Sequence, residues 1–103
     1  KEFAINVIAD NQTDLAKQFG RLHGHEVDKI KDIATEPASK ISAPLLSGCF
    51  ANIECRVKSA LWDVEGNHAI YITEVVGFKM NRQLKPTVWL NNAYYTVGPE
   101  CRL

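Results

Sequence analysis

Phe50-Ala51-Asn52-Ile53-Glu54-Cys55-Arg56-Val57-Lys58 decides the class of the fold. Ile53, Cys55 and Val57 alternate with Asn52, Glu54, Arg56 and Lys58. Successive side chains of an extended chain point to opposite faces, so this period of two predicts a half-buried strand with its polar positions in water. Asp63-Val64-Glu65-Gly66-Asn67 then supplies a turn, and Ala69-Ile70-Tyr71-Ile72-Thr73-Glu74-Val75-Val76 is the returning strand, rich in β-branched residues. Further out, Thr87-Val88-Trp89-Leu90 meets Asn91-Asn92 and Tyr94-Tyr95-Thr96-Val97, a second hairpin. Upstream, Phe3, Ile5 and Val7 alternate with Glu2, Ala4 and Asn6, which reads as a strand already under way at Lys1. From that abrupt start, a preceding part of the polypeptide is expected to be absent.

Before Pro44 the period is different. Asp10-Asn11-Gln12-Thr13 offers several N-cap residue types, and Leu15, Ala16, Phe19 and Leu22 follow at helical spacing, which predicts one helix over about residues 11–20. Gly20, Gly24, Pro37 and Pro44 punctuate residues 20–47, where only Val27–Ile33 hints at a further helical turn or two. A connection of that length is a candidate lid or ligand flank. The whole reads as a mostly-β chain with one or two short helices and antiparallel strands, a small barrel or part of one.

The chain has 103 residues and 11.5 kDa, enough for a single domain over residues 1–103. Twelve Lys and Arg balance twelve Asp and Glu, and each half of the chain is close to neutral. Without a basic excess there is nothing to release counterions from nucleic acid or to hold an anionic membrane, so neither is expected as a partner. No apolar run is long enough for a spanning helix. Cys49, Cys55 and Cys101 are an odd number without a CxxC. Cys49 and Cys55, read as members of one strand, would stand roughly 20 Å apart, beyond the reach of a disulfide. Reduced thiols and a cytoplasmic location are the expectation.

Self-evident catalytic motifs are missing. His23-Gly24-His25-Glu26 is the most metal-like stretch, but two imidazoles without HExxH or paired cysteines favour a solvated loop over a metal site. His68, after Gly66-Asn67, is either a turn histidine or a group at the mouth of a cleft that donates to an anionic or carbonyl ligand. Ser47-Gly48-Cys49 is no nucleophile elbow, and the glycine fingerprints of phosphate and dinucleotide loops do not occur. Trp62, Trp89, Tyr94 and Tyr95 serve either as packing or as a stacking surface for a planar ligand.

The order of these pieces resembles the flavin reductase-like, FMN-binding split-barrel family, which includes flavoredoxins. The resemblance rests on Glu2-Phe3-Ala4-Ile5-Asn6-Val7, the helix ending Leu15-Ala16-Lys17-Gln18-Phe19, and Ala43-Pro44-Leu45-Leu46 leading to Ile53-Glu54-Cys55-Arg56-Val57. It continues through Gly66-Asn67-His68-Ala69-Ile70-Tyr71-Ile72-Thr73-Glu74-Val75 and the hairpin Trp89–Gly98. Thr73 stands where the family often has glycine, and the family's N-terminal strands have no counterpart here.

The resemblance implies a split β-barrel without its first strands. It implies an oxidoreductase that binds FMN at a homodimer interface and either takes hydride from NAD(P)H or passes electrons to an acceptor protein. Lys17 and Arg21 are the expected donors to the flavin phosphate, and His68 the expected catalytic group beside the flavin or nicotinamide. Because the family places most of its phosphate donors in the earlier strands, this chain by itself is expected to bind FMN weakly or not at all. The alternatives are a truncated or degenerate barrel that only dimerises or binds a partner, and a relative that stores or senses flavin or haem without turnover.

Overall fold

The computed structural model describes residues 1–21 and 33–101, the side chains of Arg21 and Val64 excepted. The long hairpin of the sequence is its centre. β4 (Ala51–Val64) and β5 (His68–Met80) pair antiparallel, and β1 (Glu2–Val7) pairs antiparallel with the other edge of β4, giving the order β1-β4-β5. Two short antiparallel pairs accompany this sheet: β2 (Thr35–Glu36) with β3 (Leu45–Leu46), and β6 (Thr87–Leu90) with β7 (Ala93–Thr96). The β6–β7 hairpin joins the body through the chain that leaves β1. There Thr87 N–H donates to the Ile8 carbonyl and Asp10 N–H to the Lys85 carbonyl, both at 2.9 Å.

The mostly-β class, the antiparallel pairing and the helix are as expected. The helix begins with a 3-10 turn at Asp10–Gln12 and continues as α1 (Thr13–Arg21), a shift of about two residues in its α-helical start. Gln12 fixes that start from both sides. Its Oε1 accepts from Ala9 N–H and its Nε2 donates to the Ser47 carbonyl, each at 3.0 Å. Among the described residues no helix is long and apolar enough to cross a membrane. Cys49 precedes β4 rather than belonging to it, because Gly48 at φ +77° turns the chain before the strand begins. Cys49 and Cys55 are free and buried, in keeping with small core residues.

The largest departure from the sequence reading concerns which face of the sheet is covered. The register places Glu2, Ala4 and Asn6 of β1 beside Arg56, Glu54 and Asn52 of β4. Period-2 reasoning puts that polar face in water, yet Asn52 and Glu54 are only 3% and 5% exposed. The connection through residues 36–47 lies across it as a strap. Strap backbone groups outside a ladder need acceptors, and the polar face provides them. Glu54 accepts from Ser39 N–H (3.2 Å), Ser39 Oγ (3.0 Å) and Lys40 N–H (2.7 Å). Glu2 accepts from Ser42 N–H (3.1 Å), and Asn6 Oδ1 from Leu46 N–H (3.2 Å) and Asn52 Nδ2 (2.7 Å). Arg56 closes the set, donating to the Lys40 carbonyl and pairing with Glu2. The strap's Ile41, Leu45 and Leu46 are buried with Ala9, Cys49, Ala51 and Cys55 as the core. Its described part is therefore structural rather than a free lid.

Desolvation raises the Glu54 carboxyl, but the donors of Lys40 and Ser39 outweigh it and hold the pKa below the usual carboxylate range. Gly77, opposite Glu54 in β5, makes room for this arrangement: a Cβ there would stand 2.8 Å from the Glu54 carboxyl carbon. The other face is only partly covered: Ala51 and Cys55 are buried on it. Ile5 pairs with Ile53 and Ile53 with Phe78, and Cys55 pairs with Val75. Ile5, Val75 and Phe78 remain exposed.

Candidate functional site

A cleft of about 870 Å³ separates α1 from the β6–β7 hairpin. Thr13, Lys17 and Gly20 line its helical wall. They lie four and three residues apart, the spacing that brings side chains onto one helix face. Among the described residues nothing stands within 4 Å of where a Gly20 Cβ would be.

The opposite wall is Trp89, Asn92, Ala93 and Tyr94. Trp89 and Tyr94 are directly paired across the hairpin, so their side chains rise from the same face. Their ring centroids are 4.9 Å apart at 60°, an edge-to-face contact. Asn91 and Asn92 carry φ of +49° and +63°, the two left-handed positions of a tight two-residue turn, where Asn is among the favoured residues. Pairing within the hairpin leaves Trp89 57% exposed at the cleft, so packing alone does not account for it. The cleft thus offers one cation, two hydroxyls (Thr13 and Tyr94), one primary amide and two aromatic rings, a set suited to a planar ring that carries an anionic group.

The expected site residues divide. Lys17 lies in the cleft with Trp89 and Tyr94. Arg21, one helical turn beyond Lys17, ends α1, and its side chain lies outside the described residues. His68 opens β5 at the turn end of the long hairpin, where it pairs with Val64; it is exposed and does not line the cleft. His23, His25 and Glu26 lie outside the described residues, and among the described ones no three His, Cys, Asp or Glu gather to hold a metal. Trp62 belongs to a separate cluster. It meets Tyr71 edge-to-face at 5.4 Å, Phe3 meets Tyr71 at 5.9 Å, and Lys1 Nζ lies 5.0 Å from the Trp62 ring and donates to the Tyr71 hydroxyl at 3.2 Å. Thr13 and Asn92 were legible only as cap and turn residues. The signal for their place in the cleft was the Thr13–Lys17 spacing and the position of Asn92 between the two aromatic strands.

A model of the flavin reductase like domain matches residues 1–98. The reductase subunit of a flavin-dependent monooxygenase from Rhodococcus jostii is 27% identical over 99 residues, 95% of this chain and 47% of that protein. The chain therefore spans about half the length of that curated relative. Among solved structures, the NADH:FAD oxidoreductase of Streptomyces globisporus superposes with a TM-score of 0.82 at 22% identity, over 95% of this chain and 57% of that one. Flavoredoxin from Methanosarcina acetivorans gives 0.82 at 22% identity, over 99% and 61%. At these identities the structural likeness shows a shared fold. The match over residues 1–98 establishes that the chain belongs to the flavin reductase like domain family.

Proposed function

We propose that this chain is the flavin-binding part of an oxidoreductase that reduces flavin with a nicotinamide nucleotide and passes the electrons to an acceptor protein such as a monooxygenase component. The observation that carries this reading is the family match together with a cleft that sets Lys17 against Trp89 and Tyr94. The residues fit a flavin phosphate and ring: Lys17 and Thr13 are donors for the phosphate, and the exposed indole of Trp89 is a surface for a planar ring. FMN is the smallest flavin that uses both. When bound, the isoalloxazine accepts a hydride and releases electrons, and the protein orients it and shields it from water. Arg21 is proposed as a second phosphate donor from the next helical turn; His68 lies outside this cleft at the turn of the long hairpin, so its proposed role, holding a proton beside the flavin or nicotinamide, is one it would play at the cleft of the partner in a homodimer.

An exposed lone cation contributes about 1 kcal/mol in water, so binding of FMN by this chain alone is weak. Homodimerisation and a cytoplasmic location complete the proposal; the exposed apolar face of β1, β4 and β5 supports the first. The test is anaerobic flavin bleaching. The chain at saturating FMN or FAD, mixed with NADH or NADPH, should bleach the visible flavin band faster than protein-free flavin does, and His68→Ala should slow it. Bleaching at the protein-free rate with both flavins and both donors overturns the reading.

A further inference from the structure

We propose that Asp10 and Thr96 are positioning residues: together they form a latch that holds the β6–β7 hairpin against the start of the helix and so sets the separation of the two walls of the cleft. The inference rests on the proposed function only for the ligand that the walls close on, a flavin. Thr96 Oγ1 donates to the Asp10 carboxylate across 86 positions of sequence. Neither residue lines the cleft, yet each belongs to a face that does. Asp10, Thr13 and Lys17 recur three and four residues apart, the spacing of one helix face. Thr96 stands two residues beyond Tyr94 in β7, and alternate residues of a strand share a face. Thr87 and Thr96 form one cross-strand pair of that face, and Trp89 and Tyr94 form the next. The latch therefore lies at the foot of both walls.

The hairpin is held at that foot. Among the described residues, its base bonds to the rest of the chain through Thr87 N–H on the Ile8 carbonyl, Asp10 N–H on the Lys85 carbonyl and Thr96 Oγ1 on Asp10. The first two secure the chain that enters β6. Only the third secures β7, the strand that carries Tyr94. No hydrogen bond among the described residues joins residues 89–94 to α1, so the aromatic wall takes its position from the base, as a lever does. A hydroxyl on a carboxylate is a charge-assisted bond, stronger than a neutral one. A flavin held by Lys17 on one wall and Trp89 on the other is bound by the docked hairpin, so its apparent affinity scales with the docked fraction. By linkage, the flavin in turn favours docking.

The test is amide hydrogen exchange of the 103-residue chain, with and without saturating FMN. The reporter is Thr87 N–H, which is freed when the hairpin leaves Ile8. Thr96→Val removes the hydroxyl and keeps a β-branched residue in β7. It should speed this exchange about fivefold, the equivalent of about 1 kcal/mol, with the β4 amides unchanged. Asp10→Ala should do the same, whereas Asp10→Asn keeps an acceptor oxygen and should stay near the parent rate. FMN should slow the exchange in the parent and in Thr96→Val, and Thr96→Val should raise the Kd for FMN by up to the same factor. A contact that served stability alone would give no protection by FMN.

An unchanged Thr87 rate in Thr96→Val overturns the latch. So does exchange that quickens by the same factor throughout β4, which is a general loss of stability. Saturable FMN binding with an unaltered Thr87 rate and an equal Kd in Thr96→Val would show a flavin that does not span the two walls; it overturns the positioning role and leaves the proposed function standing. The expected Thr96→Val and Asp10→Asn rates without saturable FMN binding would do the reverse, leaving the latch and removing the flavin from this cleft.

Discussion

Glu54 carries more of the structure than its place in an alternating strand suggests. A carboxylate read as a solvated outward residue instead receives three hydrogen bonds from the strap. Gly77→Ala would put a Cβ 2.8 Å from its carboxyl carbon and 2.9 Å from Oε2, so either the carboxylate leaves Ser39 and Lys40 or β5 moves. A destabilisation of about 1–3 kcal/mol is expected, the usual range for overpacking, measured as a lower urea midpoint. Acid should act on the same anchor. Glu54 and Glu2 both titrate below the usual carboxylate range, Glu2 because Ser42 N–H and Arg56 stabilise its charge. Their contribution to stability is therefore complete above about pH 4.3, the unfolded value, and is lost as pH falls through the lowered folded values. Thermal melts between pH 6 and 3 should show Tm falling over that lower window, with a flatter profile in the Glu2→Gln, Glu54→Gln double variant. An unchanged profile would remove both carboxylates from the stability account.

The legibility of each element followed the range of the interactions that make it. β4, β5, α1 and the β6–β7 hairpin each rest on local periodicity and turn residues, and each was visible in the sequence. The strap was not. It has no period of its own, and its donors find acceptors 14 and 15 residues away in Glu54 and 40 away in Glu2 and Asn6. Strand alternation shows that one face is polar, but not that a distant loop will cover it. The cleft was half legible for the same reason: the aromatics stood out as residue types and Lys17 only through the family resemblance, and only the docking of the hairpin's start onto Ile8 and Asp10 sets hairpin against helix. Two elements offer direct tests. Asn91→Val places a β-branched residue at φ +49° and should cost about 1–2 kcal/mol. Gln12→Ala removes two hydrogen bonds, one that caps the helix start at Ala9 and one that ties it to Ser47 of the strap, with an expected cost of about 1–3 kcal/mol. Urea midpoints unchanged from the parent chain would contradict either.

At the scale of the molecule the imbalance is between a small core and much exposed apolar surface. The buried set is Ala9, Ile41, Leu45, Leu46, Cys49, Ala51 and Cys55, while Phe78, Val75, Leu61, Trp62, Ile70 and Ile72 are each 45% exposed or more. β5 also leaves one edge unpaired in the order β1-β4-β5. Such a face and edge favour association. Sedimentation should show dimers or larger species that Phe78→Lys shifts toward monomer; a compact, stable monomer of the parent chain contradicts this.

The most direct test of the flavin site is an equilibrium titration of FMN and FAD into the chain, followed by flavin fluorescence, with Lys17→Ala in parallel. Saturable quenching is expected, with a Kd for FMN on the order of 100 µM or weaker, and a further loss of about fivefold for Lys17→Ala. Quenching that never saturates, or curves for Lys17→Ala that overlay those of the parent chain, would contradict a flavin phosphate held at Lys17.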